Sequence, residues 1–147
     1  MNELIPARLM EIINEFEQSE GREKIELLLQ YSDLMPILPE HIQGQHDAMD
    51  FVEECMTPVY VTAEKDENAL HFYFDVPAES PTVRGFAAIM AIGCDGTLPE
   101  QILKIPNDFY LLMGLDHVLT MQRLNGITAI LAHMKRIALQ SLQDDTG

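Results

Sequence analysis

Residues 58–75 read PVYVTAEKDENALHFYFD, and this stretch decides the fold class. Pro58-Val-Tyr-Val-Thr62 and Leu70-His-Phe-Tyr-Phe-Asp75 are runs of β-branched and aromatic residues. Such residues suit a pleated, half-buried surface. Between the runs, Glu64-Lys-Asp-Glu-Asn68 is polar and turn-like. The whole therefore predicts an antiparallel hairpin, ended by Val76-Pro77. A short segment around Met49 to Val52 offers a third strand.

Outward from the hairpin, both flanks are helical. On the N-terminal side, Leu4, Ala7, Leu9, Met10, Ile13 and Phe16 recur at three- and four-residue steps, with Glu11, Glu15 and Glu17 between them. This is the period of an amphipathic helix. Pro6 suits its first turn, and Ser19-Glu20-Gly21 breaks it. A second helix is expected from about Arg22 to Ser32, with Ile25, Leu28 and Leu29 inward and Pro36 and Pro39 stopping it. Pro39 to Asp50 reads as an irregular connector with one turn of helix.

On the C-terminal side, Val83, Phe86, Ala87, Ile89 and Met90 line an apolar helix from Pro81, ended by Gly93-Cys-Asp-Gly96. A short helix from Leu98 to Leu103 and a turn over Asn107–Leu112 come next. A final helix is expected from about Met121 to Leu142, with Leu124, Ile127, Ile130, Leu131, Met134 and Ile137 buried and residues 143–147 frayed. Helices, a small antiparallel sheet of two or three strands, then helices again make an α+β pattern, with no βαβ alternation. At 147 residues the chain is expected to form a single domain over 1–147.

Charge narrows the function. Nine Lys and Arg face 24 Asp and Glu, a net of −15. Up to Cys55 there are thirteen acids against three bases, a local net of −10. Binding nucleic acid rests on neutralising phosphates with Lys and Arg, so no nucleic-acid partner is expected. An anionic membrane surface would repel the chain, and no apolar run approaches the roughly 20 residues of a membrane span. A basic or neutral protein surface is the better match. The N-terminus has no basic region followed by an apolar core, so no secretory signal is read there. A soluble protein of the cytoplasm, or else of an organelle matrix, is expected.

The candidates for chemistry are few. Cys55 and Cys94 are the two cysteines, and neither sits in CxxC or CxxH spacing. Cys94, in a helix stop, reads as a small buried residue. Cys55 falls between an irregular stretch and a strand, where a loop tip on a rigid sheet can present a reactive group. An inert core thiol is the competing reading. Glu53 and Glu54 precede Cys55, and their charge disfavours the thiolate. A reactive Cys55 would therefore be activated by a partner. His41, His46, His71, His117 and His133 are scattered, so neither a zinc site nor a Cys/His hydrolase is expected. Arg84 and Arg123 stand in apolar surroundings and must find a carboxylate, a carbonyl or water. Either could also supply positive charge near Cys55.

Several segments stand in a fixed order: Arg22-Glu-Lys-Ile-Glu-Leu-Leu-Leu29 with Leu38-Pro-Glu40, then Cys55-Met-Thr-Pro-Val-Tyr60, Thr82-Val-Arg-Gly85 and Leu98-Pro-Glu-Gln-Ile102. Gly114-Leu-Asp-His-Val-Leu119, running into Arg123-Leu-Asn-Gly126, completes the series. Taken together, over about Ile12 to Ala138, they resemble the SufE family of sulfur-acceptor proteins for cysteine desulfurases. Cys55 matches the family's sulfur-accepting Cys. Val59 and Tyr60 match the Val and the aromatic position that come after it in the family. Glu54 stands where the family usually has Gly, Thr57 where it has Ser, and Glu79 where Asp is common.

The resemblance implies an α+β fold like that of iron–sulfur scaffold proteins, with the Cys on a loop able to tuck its sulfur into an apolar cavity. Met56, Val59 and Phe109 are expected beside it. It implies that Cys55 takes sulfur as a persulfide from a pyridoxal-phosphate-dependent cysteine desulfurase and passes it to an iron–sulfur assembly scaffold. Arg123, Glu79 and Arg84 would serve binding. No cofactor or metal of its own and no independent turnover are implied. The alternative is an interaction module that docks on the desulfurase without taking sulfur, for which Glu54 is the argument.

Overall fold

The alternation of residues 60–75 closes into a hairpin in the computed structural model, which describes residues 4–146. Strand β2 spans Tyr60–Asp66 and β3 spans Ala69–Asp75, paired antiparallel from Tyr60↔Asp75 to Asp66↔Ala69. On β3 the burial alternates strictly, with Leu70, Phe72 and Phe74 inward. The polar cluster expected as a turn is mostly strand. Glu64, Lys65 and Asp66 continue the ladder, and only Glu67 and Asn68 turn. A sheet with one wet face accepts polar residues on that face. Glu67 takes φ 59°, the positive φ that a two-residue hairpin loop demands.

The third strand is real but short. Strand β1 spans Asp50–Phe51 and pairs with β2 antiparallel, giving the sheet order β1-β2-β3. On the far side of β3, Leu70 bonds Thr97 through its N–H and Gly96 through its carbonyl, at 2.9 Å each.

Among the described residues there are five α-helices, α1 (Ala7–Glu17), α2 (Arg22–Asp33), α3 (Pro81–Gly93), α4 (Pro99–Leu103) and α5 (Met121–Thr146), of which α3 and α5 pack on the sheet. Single turns of 3-10 helix stand at His46–Ala48, Phe109–Leu111 and Leu115–His117. The sequence of α3 is apolar nearly all round, and a helix of that kind must be buried. It is the central element: Gly85 to Ala91 are buried without a break, and α1, α2, α5 and β3 all pack on it. Gly85 lets α2 approach, since a Cβ there would stand 2.1 Å from the Leu28 carbonyl oxygen.

Several helix faces differ from the expected ones. Helix α1 begins after Pro6 and buries Leu9, Ile12, Ile13 and Phe16, while Leu4 and Ala7 are exposed and Met10 is half-buried. In α2 the buried set is Lys24, Leu28, Tyr31 and Ser32, and Leu29 faces water. On this face the Lys24 ammonium bonds the Phe16 carbonyl at the end of α1. A buried ammonium needs such an acceptor. Helix α5 continues past the expected end at Leu142 to Thr146, with Ala138 rather than Ile137 fully buried. No breaker precedes Gly147, which lies outside the described residues.

Candidate functional site

The connection from β1 to β2 carries Cys55. The Val52 N–H still bonds the Val59 carbonyl at 2.9 Å, so the sheet closes the base of the loop. Residues 53–58 bulge out irregularly, with the Cys55 N–H on the Val52 carbonyl at 3.3 Å. Within this loop Glu53, Glu54, Met56 and Pro58 are exposed. Cys55 turns in: it is 8% exposed, and its thiol donates to the Gly126 carbonyl of α5 at 3.4 Å. The approach depends on glycine, because a Cβ on residue 126 would stand 3.2 Å from Cys55 Sγ.

Cys55 sits at the inner end of a surface cavity of about 440 Å³. Met56, Thr57, Glu79, Ser80, Thr82, Arg123 and Gly126 help line it. Thr57 Oγ1 and Ser80 Oγ lie 2.7 Å apart and tie the loop to the start of α3. Arg123 is exposed on the wall, and its guanidinium donates to Thr82 Oγ1 at 3.0 Å. Glu79 stands exposed at the rim. Of the expected residues, Cys55, Glu79 and Arg123 thus share one cavity.

Arg84 does not join them. Its guanidinium donates to the Val76 carbonyl at 2.6 Å and, through Nε, to the Ser32 carbonyl at 3.3 Å. It tethers the end of β3 and the end of α2 to α3. Of the expected apolar neighbours, Met56 lines the cavity. Val59 and Phe109 are buried in the core, Phe109 against Phe86, and neither lines it.

Electrostatics keeps the thiol neutral. Burial, and then the charge of Glu54, push the Cys55 thiol from an ordinary 9.0 up to about 11. Cys94 is fully buried at the end of α3, and burial pushes it up to about 12. Among the described residues no histidine bonds Cys55. His133 instead engages the neighbouring Glu54, at 3.4 Å. No grouping of three or more His, Cys, Asp or Glu able to hold a metal occurs among the described residues. No described helix is long and apolar enough to cross a membrane.

Three contributions escape a reading of the sequence: the Thr57–Ser80 tie, Thr82 as the partner of Arg123, and His133. The Ser80-Pro81 pair is a helix-start signal that could draw attention to Ser80. The others join residues far apart in the chain, and no local pattern marks them.

Fold and site together define a small α+β protein that keeps one loop thiol sheltered at the end of a surface cavity. The chain belongs to the SufE family: the model of that Fe-S metabolism associated domain matches residues 10–138. A SufE-like protein of Mycobacterium tuberculosis is 39% identical over 133 residues, which cover 90% of this chain and 92% of that one. The cysteine desulfuration protein SufE of Plasmodium vivax is 29% identical over 111 residues, 74% of this chain and 43% of that protein. A hypothetical protein from Thermus thermophilus, solved in solution, superposes with a TM-score of 0.82 at 30% identity, covering 95% of this chain and 98% of that one.

Proposed function

We propose that this protein takes sulfur from a pyridoxal-phosphate-dependent cysteine desulfurase onto Cys55, activates that enzyme by relieving it of its persulfide, and passes the sulfur to an iron–sulfur assembly scaffold. One observation carries the reading: Cys55 lies on an irregular loop at the end of an open cavity, while Cys94 is sealed in the core. Membership of a family that includes cysteine desulfuration proteins supports it.

The step is thiol exchange. The Cys55 thiolate attacks the outer sulfur of the donor's persulfide, a new S–S bond forms on Cys55, and the old one breaks. The donor cysteine leaves as a thiolate, and no net oxidation occurs. Rate depends on thiolate fraction and on access. Both are low in the resting protein, because Cys55 is buried and its thiol is neutral at pH 7. Docking must therefore swing the loop outward and supply an environment that favours the thiolate. The shelter has a benefit, since a protonated and buried thiol resists stray oxidation. Arg123 on the cavity wall is the group placed to stabilise an anionic sulfur, and Glu79 at the rim is placed to meet a partner. We assign the protein to the cytoplasm, where thiols are kept reduced.

A second reading has its own observation. The Glu54 charge beside Cys55 opposes the thiolate, as a docking module that has given up sulfur carriage would tolerate. Incubation with a cysteine desulfurase, cysteine and a reductant separates the two. The carrier reading expects faster sulfide release that vanishes in Cys55→Ser, with a mass gain of one sulfur on Cys55 and none on Cys94. Release that stays fast in Cys55→Ser refutes it and favours the docking module.

A further inference from the structure

The loop that carries Cys55 is held down by more than the thiol's own contact. Helix α5 presents Gly126, His133 and Arg136 at steps of seven and three residues, which places them along one face. Gly126 receives the Cys55 thiol. Two turns and more beyond it lies a group of ionisable side chains. His133 Nε2 faces Glu54 Oε1 at 3.4 Å, and His133 Nδ1 faces Asp50 Oδ2 at 3.5 Å. Arg136 pairs with the same Asp50 oxygen. The imidazole thus lies between two carboxylates, hydrogen-bonded to Glu54 while its Nδ1 only approaches Asp50, and its side chain is 17% exposed. Asp50 lies in β1 and Glu54 directly precedes Cys55, so the pairs grip the loop at its base and beside its thiol. In a chain short of basic residues, two basic groups converge on this one segment.

We propose that His133 and Arg136 form an electrostatic latch which, by holding Asp50 and Glu54, keeps the Cys55 loop closed on α5 and so sets how often the thiol is exposed. The proposal rests on Cys55 being the working thiol and adds how its exposure is governed. It also gives Glu54 a role. The residue that disfavours the thiolate is the one through which the loop is fastened. Its carboxyl is held below the usual range by its own backbone N–H and by His133, in keeping with a carboxylate that stays charged for the grip.

The test is the rate at which iodoacetamide alkylates Cys55, read by peptide mass, with sealed Cys94 as internal reference. In His133→Gln and Arg136→Gln, loss of an exposed or half-exposed pair is expected to speed labelling about two- to fivefold. For Arg136 the sign is diagnostic: removing that cation, with the loop unmoved, disfavours the thiolate and slows labelling. Arg136→Lys should restore the slow rate. Labelling that is unchanged or slower in both Gln variants overturns the latch.

Should a variant loosen as a whole, which rising Cys94 labelling would reveal, the unaltered protein decides. Amide hydrogen exchange of residues 53–57 should quicken between 0.1 and 1 M salt, as the screening length falls from about 10 to 3 Å, while α3 stays protected. Exchange of that segment that ignores salt overturns the proposal. Neither readout contains a desulfurase. Failure of sulfur transfer therefore leaves the latch standing, and failure of the latch leaves sulfur transfer standing.

Discussion

Gly126→Ala puts one methyl group between the thiol and the helix that shelters it. The new Cβ would stand 3.2 Å from Cys55 Sγ. Ordinary contact between such atoms begins near 3.5–4.0 Å, so the sulfur must retreat by roughly half an ångström. Gly126 has no positive φ, so alanine fits the backbone of α5 and gains about 1 kcal/mol of helix propensity. The cost is the bond from the thiol to the Gly126 carbonyl, in the range of about 0.5–1.5 kcal/mol for an ordinary hydrogen bond. These terms nearly cancel. The irregular loop can yield, since its residues Glu54 and Met56 already face water. Stability should stay within about 1 kcal/mol, a shift of only a few degrees in Tm. Exposure of the thiol should rise by the factor that the lost bond represents, about twofold to tenfold. Alkylation of Cys55 relative to Cys94, alongside a thermal melt, checks both. Unchanged labelling together with a loss above about 2 kcal/mol would refute the reasoning, because it would mean the loop is packed as rigidly as the core.

Other outcomes rest on the same geometry. With the Cys55 thiol held near 11, its alkylation should climb about tenfold per pH unit well past pH 9, where an ordinary thiol levels off. A plateau at 9 argues against a buried neutral thiol. Stability moves the opposite way. The native state keeps both thiols protonated more tightly than the unfolded chain, so their contribution is whole below about pH 9. It is lost as pH rises through about 11 for Cys55 and about 12 for Cys94. Denaturant melts from about pH 7 to 11 should show the decline. Gly85→Ala drives a Cβ to 2.1 Å from backbone that cannot move aside, and should cost about 3 kcal/mol or more in chemical denaturation. Arg84→Ala strands the Val76 and Ser32 carbonyls and should cost about 1–3 kcal/mol. Below the melting temperature it should leave sulfide release from the desulfurase mixture unaltered. A specific loss of that release would place Arg84 at the docking surface after all.

Much of this molecule can be read locally. The hairpin, the longer helices of both flanks and the loop position of Cys55 all come from the spacing of apolar residues and from Pro and Gly punctuation. The features that sequence reading misses share one property: each needs two distant residues at once. Lys24 counts as a surface residue until the end of α1 is seen above it. The thiol of Cys55 and its acceptor on Gly126 are 71 positions apart. A turn over all of Glu64–Asn68 is too wide for a related reason. A polar residue in a strand is judged by the face it occupies, and that face is set by the partner strand.

The sheet's outer boundaries carry a last consequence. One is β1, two residues long, and the other is β3, where Leu70 is already occupied by the segment at 96–97 and the Val76 carbonyl just beyond by Arg84. Proteins blunt such boundaries to avoid being extended by foreign chains. Recognition by adding a strand, a common way for an extended peptide to bind, meets backbone already engaged near both ends of β3. Strand addition at this edge would have to compete with those two engagements, which leave little room for a long added strand.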